Sequence, residues 1–433
     1  MRAEQLSLES VSDYLSARKQ GANKAQATAL KIVEDVQARG FAAVAEYSQK
    51  FDGVEISRGS AAVSGAELAR AEESLTVSQR EAMLEMKNRI SSFARLQKQS
   101  LKPVVQTSTG GKTSLIFKPV KRVGIYVPAG RAPLFSSLFM AAIPAIEAGV
   151  QELAVCTPPG KDGCADKFVL AAAQMCGIKK VFRIGGAQAI ASMAFGLEGI
   201  LEPVDVICGP GNAYVNAAKM AVAGMGIRID VPAGPSEVLV IADETADAAF
   251  VASDMLAQAE HGEDSAAICI CASSEIARQV ANQLESQLSA LPQSNAAWKS
   301  IPKWGRIWIA KDAQEAINAA NTVAVEHLEL MVMDAGKLLP QIRNAGAIFV
   351  RTAEAFCDYG MSGGNHILPT GAAARSWGGV SVQTFGKWVY VDEISEAEQV
   401  RLAKKTALLA RMEGLEAHAR AAEQRSKEKR VEK

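Results

Sequence analysis

Apolar residues recur along this 433-residue chain in two rhythms. Over residues 1–100 they fall at helical spacing, most clearly in Lys24–Arg39 and Ser78–Gln97. Gly40, the Phe51-Asp52-Gly53 turn and a polar patch separate these stretches. From Arg122 the pattern changes to short β-rich runs alternating with helices. Val123–Val127, Leu153–Cys156, Val181–Ile184 and Val204–Cys208 predict strands about 25–30 residues apart. Helices are predicted between them at 136–148, 164–176 and 187–196. The rhythm then restarts with strands at Val238–Ile241, Ala267–Ile270, Arg306–Ile309, Leu328–Val332 and Ala347–Val350. Helices are predicted near 247–261, 273–290, 312–320 and 335–344. Such alternation calls for right-handed βαβ units, so the fold class is α/β with two parallel-sheet units. Ligands are expected beyond the carboxyl ends of the strands.

After Val380 the rhythm stops. A short strand-like piece leads to a helix from about Ser395, on which Leu408, Met412 and Leu415 form an apolar stripe bordered by Glu413 and His418. Past Ala421 the helix is almost all charge and is expected to end in solvent. An apolar stripe outside any α/β core needs another surface to cover it, and a second subunit supplies one.

Composition narrows the function classes. Lys plus Arg (47) balances Asp plus Glu (47), which gives no argument for nucleic acid or an anionic membrane as partner. The N-terminus has no apolar h-region of a secretory signal. The long apolar run Pro133–Val150 is broken by Pro133, Ser136, Ser137, Pro144 and Glu147, which argues against a membrane span. Seven cysteines without a C-x-x-C pair fit free thiols in a reducing compartment, so a cytoplasmic location is expected. Cys269 and Cys271 alternate with isoleucines and read as core.

The candidate chemistry is concentrated in the second half, where all four histidines lie (His261, His327, His366 and His418). In Asp254–Gly262, helical spacing puts Asp254, Gln258 and His261 on one face at a helix end. Gly209-Pro-Gly-Asn-Ala-Tyr214 follows a strand and opens a helix, a place where backbone approaches a phosphate; an ordinary strand-to-helix turn fits it equally. Gly185-Gly-Ala-Gln188 and Tyr126-Val-Pro-Ala-Gly130 occupy comparable strand ends, and three such loops at one sheet edge raise the case for a nucleotide. Glu326-His327 pairs a carboxylate with an imidazole able to take a proton from an alcohol, although adjacent strand residues point to opposite faces. Asp358–His366 offers a further oxygen ligand and imidazole. The donors are N and O without sulfur, a mix that suits zinc, manganese or cobalt. Spacing alone does not define a metal site.

Several stretches together resemble the histidinol dehydrogenase family. They are RVGIYVPAG at 122–130, GGAQAIASMAFG at 185–196, GPGNAYV at 209–215, DVPAGPSEVLVIAD at 230–243, QAEHG at 258–262, EHLE at 326–329, NHILPT at 365–370 and EGLEAHA at 413–419. The resemblance implies incomplete Rossmann-like domains and a homodimeric enzyme that uses zinc and NAD. Such an enzyme oxidises a primary alcohol to a carboxylate through an aldehyde, L-histidinol to L-histidine, with two NAD in succession. It further implies Gln258, His261, Asp358 and His418 as zinc ligands, with His418 and Glu413 donated across the subunit interface. His327 is then the base toward the alcohol, and Glu326 activates the water that attacks the aldehyde. Ser236, Gln258, His261, Glu326, His327, Asp358, His366, Glu413 and His418 contact substrate, and Tyr126, Gln188 and Asn212 contact NAD.

The domains expected on this basis are an N-terminal helical segment (1–22), a larger metal-bearing α/β domain (23–125 plus 237–380), a nucleotide-binding α/β domain (126–236) and a dimer-forming tail (381–433). Three positions depart from the family pattern: Val325 stands for proline, Ala129 for glycine, and one residue more separates Asp358 from Asn365-His366. Strict spacing therefore puts Tyr359 at the carboxylate position. These departures admit a paralogue acting on another small alcohol, such as sulfopropanediol. A metal-dependent hydrolase and a non-catalytic metal-binding scaffold are the readings from other classes.

Overall fold

In a computed structural model, which describes residues 2–19, 22–129 and 133–426, the two rhythms become two parallel sheets. In chain order the strands are β1 (Ala3–Gln5), β2 (Val104–Ser108), β3 (Gly111–Pro119), β4 (Arg122–Tyr126), β5 (Glu152–Cys156), β6 (Lys180–Phe182) and β7 (Val206–Cys208). They continue with β8 (Arg228–Ile229), β9 (Glu237–Ala242), β10 (Ala266–Cys271), β11 (Gly305–Ile309), β12 (His327–Met331), β13 (Ala347–Val350) and β14 (Gly386–Ile394). The five-stranded sheet has the order β6-β5-β4-β7-β8 and the six-stranded sheet the order β1-β11-β10-β9-β12-β13. Every pair in both is parallel. The central strands β9 and β10 are buried at every residue, as strands covered by helices on both faces must be. Cys269 and Cys271 lie in that core.

Two compact units emerge: Met1–Lys98 with Val120–Phe385, and Gln99–Pro119 with Gly386–Lys433. The first holds both parallel sheets. The second holds an antiparallel sheet, β14-β3-β2, followed by the helices Glu396–Met412 and Glu416–Gln424. Leu408 and Met412 on the first of these helices and Leu415 in the turn after it are 62%, 75% and 44% exposed among the described residues.

Several elements differ from the periodicity reading. The segment 104–119 forms a hairpin that pairs with β14 instead of joining an α/β sheet. Its strands are largely exposed and carry Gln, Thr, Ser and Lys at outward positions, so no apolar alternation marks them. The three-residue β1, inside the stretch expected to be helical, adds an edge to the six-stranded sheet. Strand β4 runs across the boundary drawn at 125/126, since the family motif begins at its first residue.

Candidate metal and cofactor sites

The two sheets use opposite edges. In the five-stranded sheet the strand order reverses between β4 and β7, which opens a crevice at their carboxyl ends. There Tyr126 closes β4, Gly185–Gln188 follows β6 and Gly209–Asn212 follows β7. The Tyr126 hydroxyl accepts from Gly186 N at 3.1 Å. Gly209 has φ +128°, and a side chain there would meet the Tyr126 carbonyl oxygen at 2.1 Å, so only glycine lets the loop lie across the end of β4. The three expected loops do converge. Gln188 is buried, with neither amide atom hydrogen-bonded among the described residues. Asn212 Oδ1 accepts from Tyr214 N (3.0 Å) and Val215 N (3.1 Å), capping the helix Ala213–Gly224 and leaving its amide nitrogen as a donor. Gly130 lies outside the described residues.

In the six-stranded sheet the polar groups gather at the amino edge, against the expectation for open parallel sheets. Ser236 precedes β9, Glu326 and His327 sit at the start of β12, and the helix Ala248–Ala259 delivers Gln258 and His261 with its final turn. A crossover helix must return its C-terminus to the amino end of the next strand. Residues on that last turn therefore serve this edge. Both Glu326 and His327 are buried, 7% and 3% exposed, so neither is a surface residue. Glu326 lies just before the strand's alternation begins, and its Oε2 accepts from Glu237 N at 3.0 Å.

Around His327 the groups are closely set. Its Nδ1 lies 2.8 Å from Glu354 Oε1, and its Nε2 lies 3.5 Å from Asp358 Oδ1. Glu354 thus lies on the Nδ1 side of the ring, and Nε2 faces Asp358. Gln258 Nε2 lies 2.8 Å from His327 Nδ1, donates to Glu354, and reaches Asp358 Oδ2 at 3.4 Å. His261 Nε2 stands 3.7 Å from Asp358 Oδ2. Phe349 stacks on the His327 ring at 5.3 Å. Asp358 is 16% exposed at the side chain whereas Tyr359 is 53% exposed, so the carboxylate holds the inward position. Gly360 and Gly363 in the loop that follows have positive φ.

Among the described residues, Gln258 Oε1, His327 Nε2, Glu354 Oε2 and Asp358 Oδ1 are buried without a hydrogen-bond partner. His327, Glu354 and Asp358 bring one ligand-type atom each within 4.8 Å of one another. Glu354 Oε1 already serves Gln258 and His327. Gln258 and His261 border this group through Asp358. Burial lowers the His261 pKa, and a neutral imidazole is the ligating form. Burial, with the charges of Asp358 and Asp254, holds Glu354 well above the usual carboxylate range. Burial, with Asp254 and Glu354, does the same to Glu329. A cation relieves such crowding, so the donor set fits a divalent metal of the zinc class.

The remaining expected residues are placed less uniformly. His366 Nδ1 lies 2.5 Å from the Asp358 carbonyl and its Nε2 lies 3.1 Å from Ser137 Oγ, so both ring nitrogens have protein partners. Ser236 is half-buried, beside the cluster's edge of β9. His418 and Glu413 are exposed in the second unit. A cavity of about 360 Å³, a ligand-pocket size, is lined by Phe349, Cys357, Asp358, Asn365 and His366. The sequence reading missed Glu354, Glu329 and Ser137. Glu354 stands four residues before Asp358, the spacing that puts both on one helix face, and that was a usable signal.

A two-sheet α/β scaffold with one glycine-lined crevice and one buried amide-histidine-carboxylate cluster suits an oxidoreductase. The chain belongs to the histidinol dehydrogenase family, whose model, described as histidinol dehydrogenase, matches residues 15–426. A histidinol dehydrogenase from Xanthomonas euvesicatoria is 44% identical over 393 residues, covering 90% of each chain. One from Pasteurella multocida is 40% identical over 417 residues, covering 94% of this chain and 95% of its own. The crystal structure of histidinol dehydrogenase from Elizabethkingia anophelis superposes with a TM-score of 0.89 at 34% identity, covering 97% of this chain and 96% of that one. No described helix is long and apolar enough to cross a membrane.

Proposed function

We propose that this protein oxidises L-histidinol to L-histidine in two steps, with NAD as hydride acceptor and a zinc-class cation at Gln258, His261 and Asp358. The observation that carries the reading is the convergence of those three side chains on the base His327, next to a cavity of small-molecule size. A bound cation would supply fixed positive charge that grips and orients the alcohol. Bound NAD would supply the hydride acceptor in both steps.

The chain's own groups do the proton work. His327 Nε2 takes the proton of the alcohol, and the Glu354 carboxyl beside Nδ1 favours the imidazolium that forms. Glu326 takes a proton from the water that adds to the aldehyde. Burial raises its pKa to about 8, which makes it a stronger base than an ordinary carboxylate and lets it alternate between acid and base near neutrality. Tyr126, Gln188 and Asn212 hold the dinucleotide at the crevice of the five-stranded sheet, and the six-stranded sheet carries the metal at its amino edge. His366 grips substrate in concert with Asp358, and Ser236 contacts it from the strand edge.

The exposed apolar stripe and the exposed Glu413 and His418 support a homodimer in which the partner's tail completes each site. All seven cysteines are free, in keeping with a reducing compartment. The test is metal removal: chelation is expected to abolish histidinol-dependent NAD reduction, and added zinc to restore it. Unchanged turnover after full chelation contradicts the reading.

A further inference from the structure

We infer that the buried ion pair Lys219–Asp230 is a positioning clamp for the dinucleotide-binding loop, acting through the peptide of Gly209. The inference rests on the NAD reading above.

Three contacts meet on one glycine. Asp230 Oδ2 accepts from Gly209 N at 2.7 Å, and Lys219 Nζ donates to Gly209 O at 2.9 Å. Lys219 Nζ and Asp230 Oδ1 are 2.5 Å apart, with side chains 1% and 0% exposed. Both polar groups of a single peptide residue are thus held by opposite charges that also hold each other. The residue has φ +128° and lies against the Tyr126 carbonyl. A glycine at such a crossing has several backbone conformations open to it, and the clamp admits one.

The consequences run along Gly209–Asn212. Pro210 fixes the next φ, and Asn212 caps the following helix. The direction in which Gly209 leaves β7 therefore sets where the Asn212 amide and the helix N-terminus stand relative to Tyr126. A buried ion pair is a poor source of net stability, because desolvation offsets most of its attraction, and apolar residues of similar volume often serve stability as well. Its gain here is geometric. Lys219 comes from the helix that the loop opens, and Asp230 from the residue after β8. The pair thereby ties helix, loop and sheet edge at one point. Neither residue reaches the metal cluster by any contact described above, so loss of the clamp should weaken nucleotide binding selectively.

The test compares the metal-loaded wild type with two charge-balanced double variants, Lys219→Met/Asp230→Asn and Lys219→Gln/Asp230→Asn. NAD affinity is measured by calorimetry, and KM is measured separately for NAD and the alcohol. The Met/Asn variant is expected to bind NAD roughly tenfold or more weakly, with the alcohol KM and metal content within about twofold of wild type. The Gln/Asn variant keeps a donor and an acceptor without a buried charge, so it should fall between the two and serves if the Met/Asn variant does not fold. NAD affinity unchanged in a folded variant overturns the inference. Equal loss of NAD affinity, alcohol KM and metal content also overturns it, by marking a merely structural pair. A wild type that binds no NAD overturns the reading beneath it, and the clamp with it.

Discussion

Gln258 Nε2 lies 2.8 Å from His327 Nδ1, which joins the last turn of a crossover helix to the first residue of a core strand. Four residues of helix rise about 6 Å and two residues of strand about 6.6 Å, so a helix antiparallel to a strand stays in step with it. One helical turn before Gln258 comes Asp254, and two residues after His327 comes Glu329. Those two carboxyls face each other in the core. The cluster is therefore a two-rung ladder, amide on imidazole above carboxyl on carboxyl, with Glu354 beside it.

The lower rung gives a stability prediction. Burial raises the Asp254 pKa to about 6, and it faces Glu329, whose pKa is raised further. Two carboxyls buried side by side favour a proton on one of them. Because the folded-state pKa of Asp254 lies above its unfolded value, its contribution is fully present below about pH 4 and is lost as pH rises through about 6. Asp254→Asn should remove this dependence and leave the metal-free protein more stable than wild type by on the order of 1–3 kcal/mol at pH 8. Denaturant melts of both proteins at pH 5 and pH 8 check it; parallel pH profiles contradict it.

Asp358, and not Tyr359, is the inward residue. Asp358→Asn should cost about 10–100-fold in metal affinity, and Tyr359→Phe should leave it within about twofold. Metal content after dialysis against a graded chelator separates the two.

On the proposed reading, Glu354 supports catalysis through His327, and Glu354→Gln keeps its shape while removing the carboxyl beside Nδ1. It is expected to lower kcat by about 10–100-fold while changing the substrate KM little. Steady-state kinetics with saturating metal decide the matter, and a variant with wild-type kcat rules the role out.

Glu326 and His327 should separate the two oxidations. Glu326→Gln is expected to slow conversion of the aldehyde by about 10²–10⁴-fold while sparing the alcohol step more, and His327→Asn should slow the alcohol step. With a pKa of about 8, Glu326 gains its basic form as pH rises, so the aldehyde step should climb toward pH 8 and level off above it. The glutamine variant should lose that limb. Rates from alcohol and from aldehyde, measured across pH in both variants, provide the check.

Much of this arrangement is legible in the chain itself. The strands from β4 to β7 and β9 to β13 announce themselves as Val- and Ile-rich runs, because strands buried on both faces admit little else. Gln258, His261 and Asp358 were marked by motif, and the structure brings them together. Asp254 was marked by helical spacing, but its partner was not, since pairing Asp254 with Glu329 needs the helix-to-strand register, a tertiary fact. The amino-edge location was missed for the same reason: the rule of carboxyl-end ligands holds for the crevice at Tyr126 and Gly209, while the helix C-terminus at Gln258 serves the opposite edge. The hairpin 104–119 escaped notice because its exposed strands bury little.

The most direct measurement is the stoichiometry of NAD reduction by the zinc-loaded protein supplied with limiting L-histidinol. The account predicts two NAD reduced per histidinol, with histidine as the sole end product. One NAD per histidinol with aldehyde accumulating, or no reduction with histidinol but turnover of another small alcohol, contradicts it.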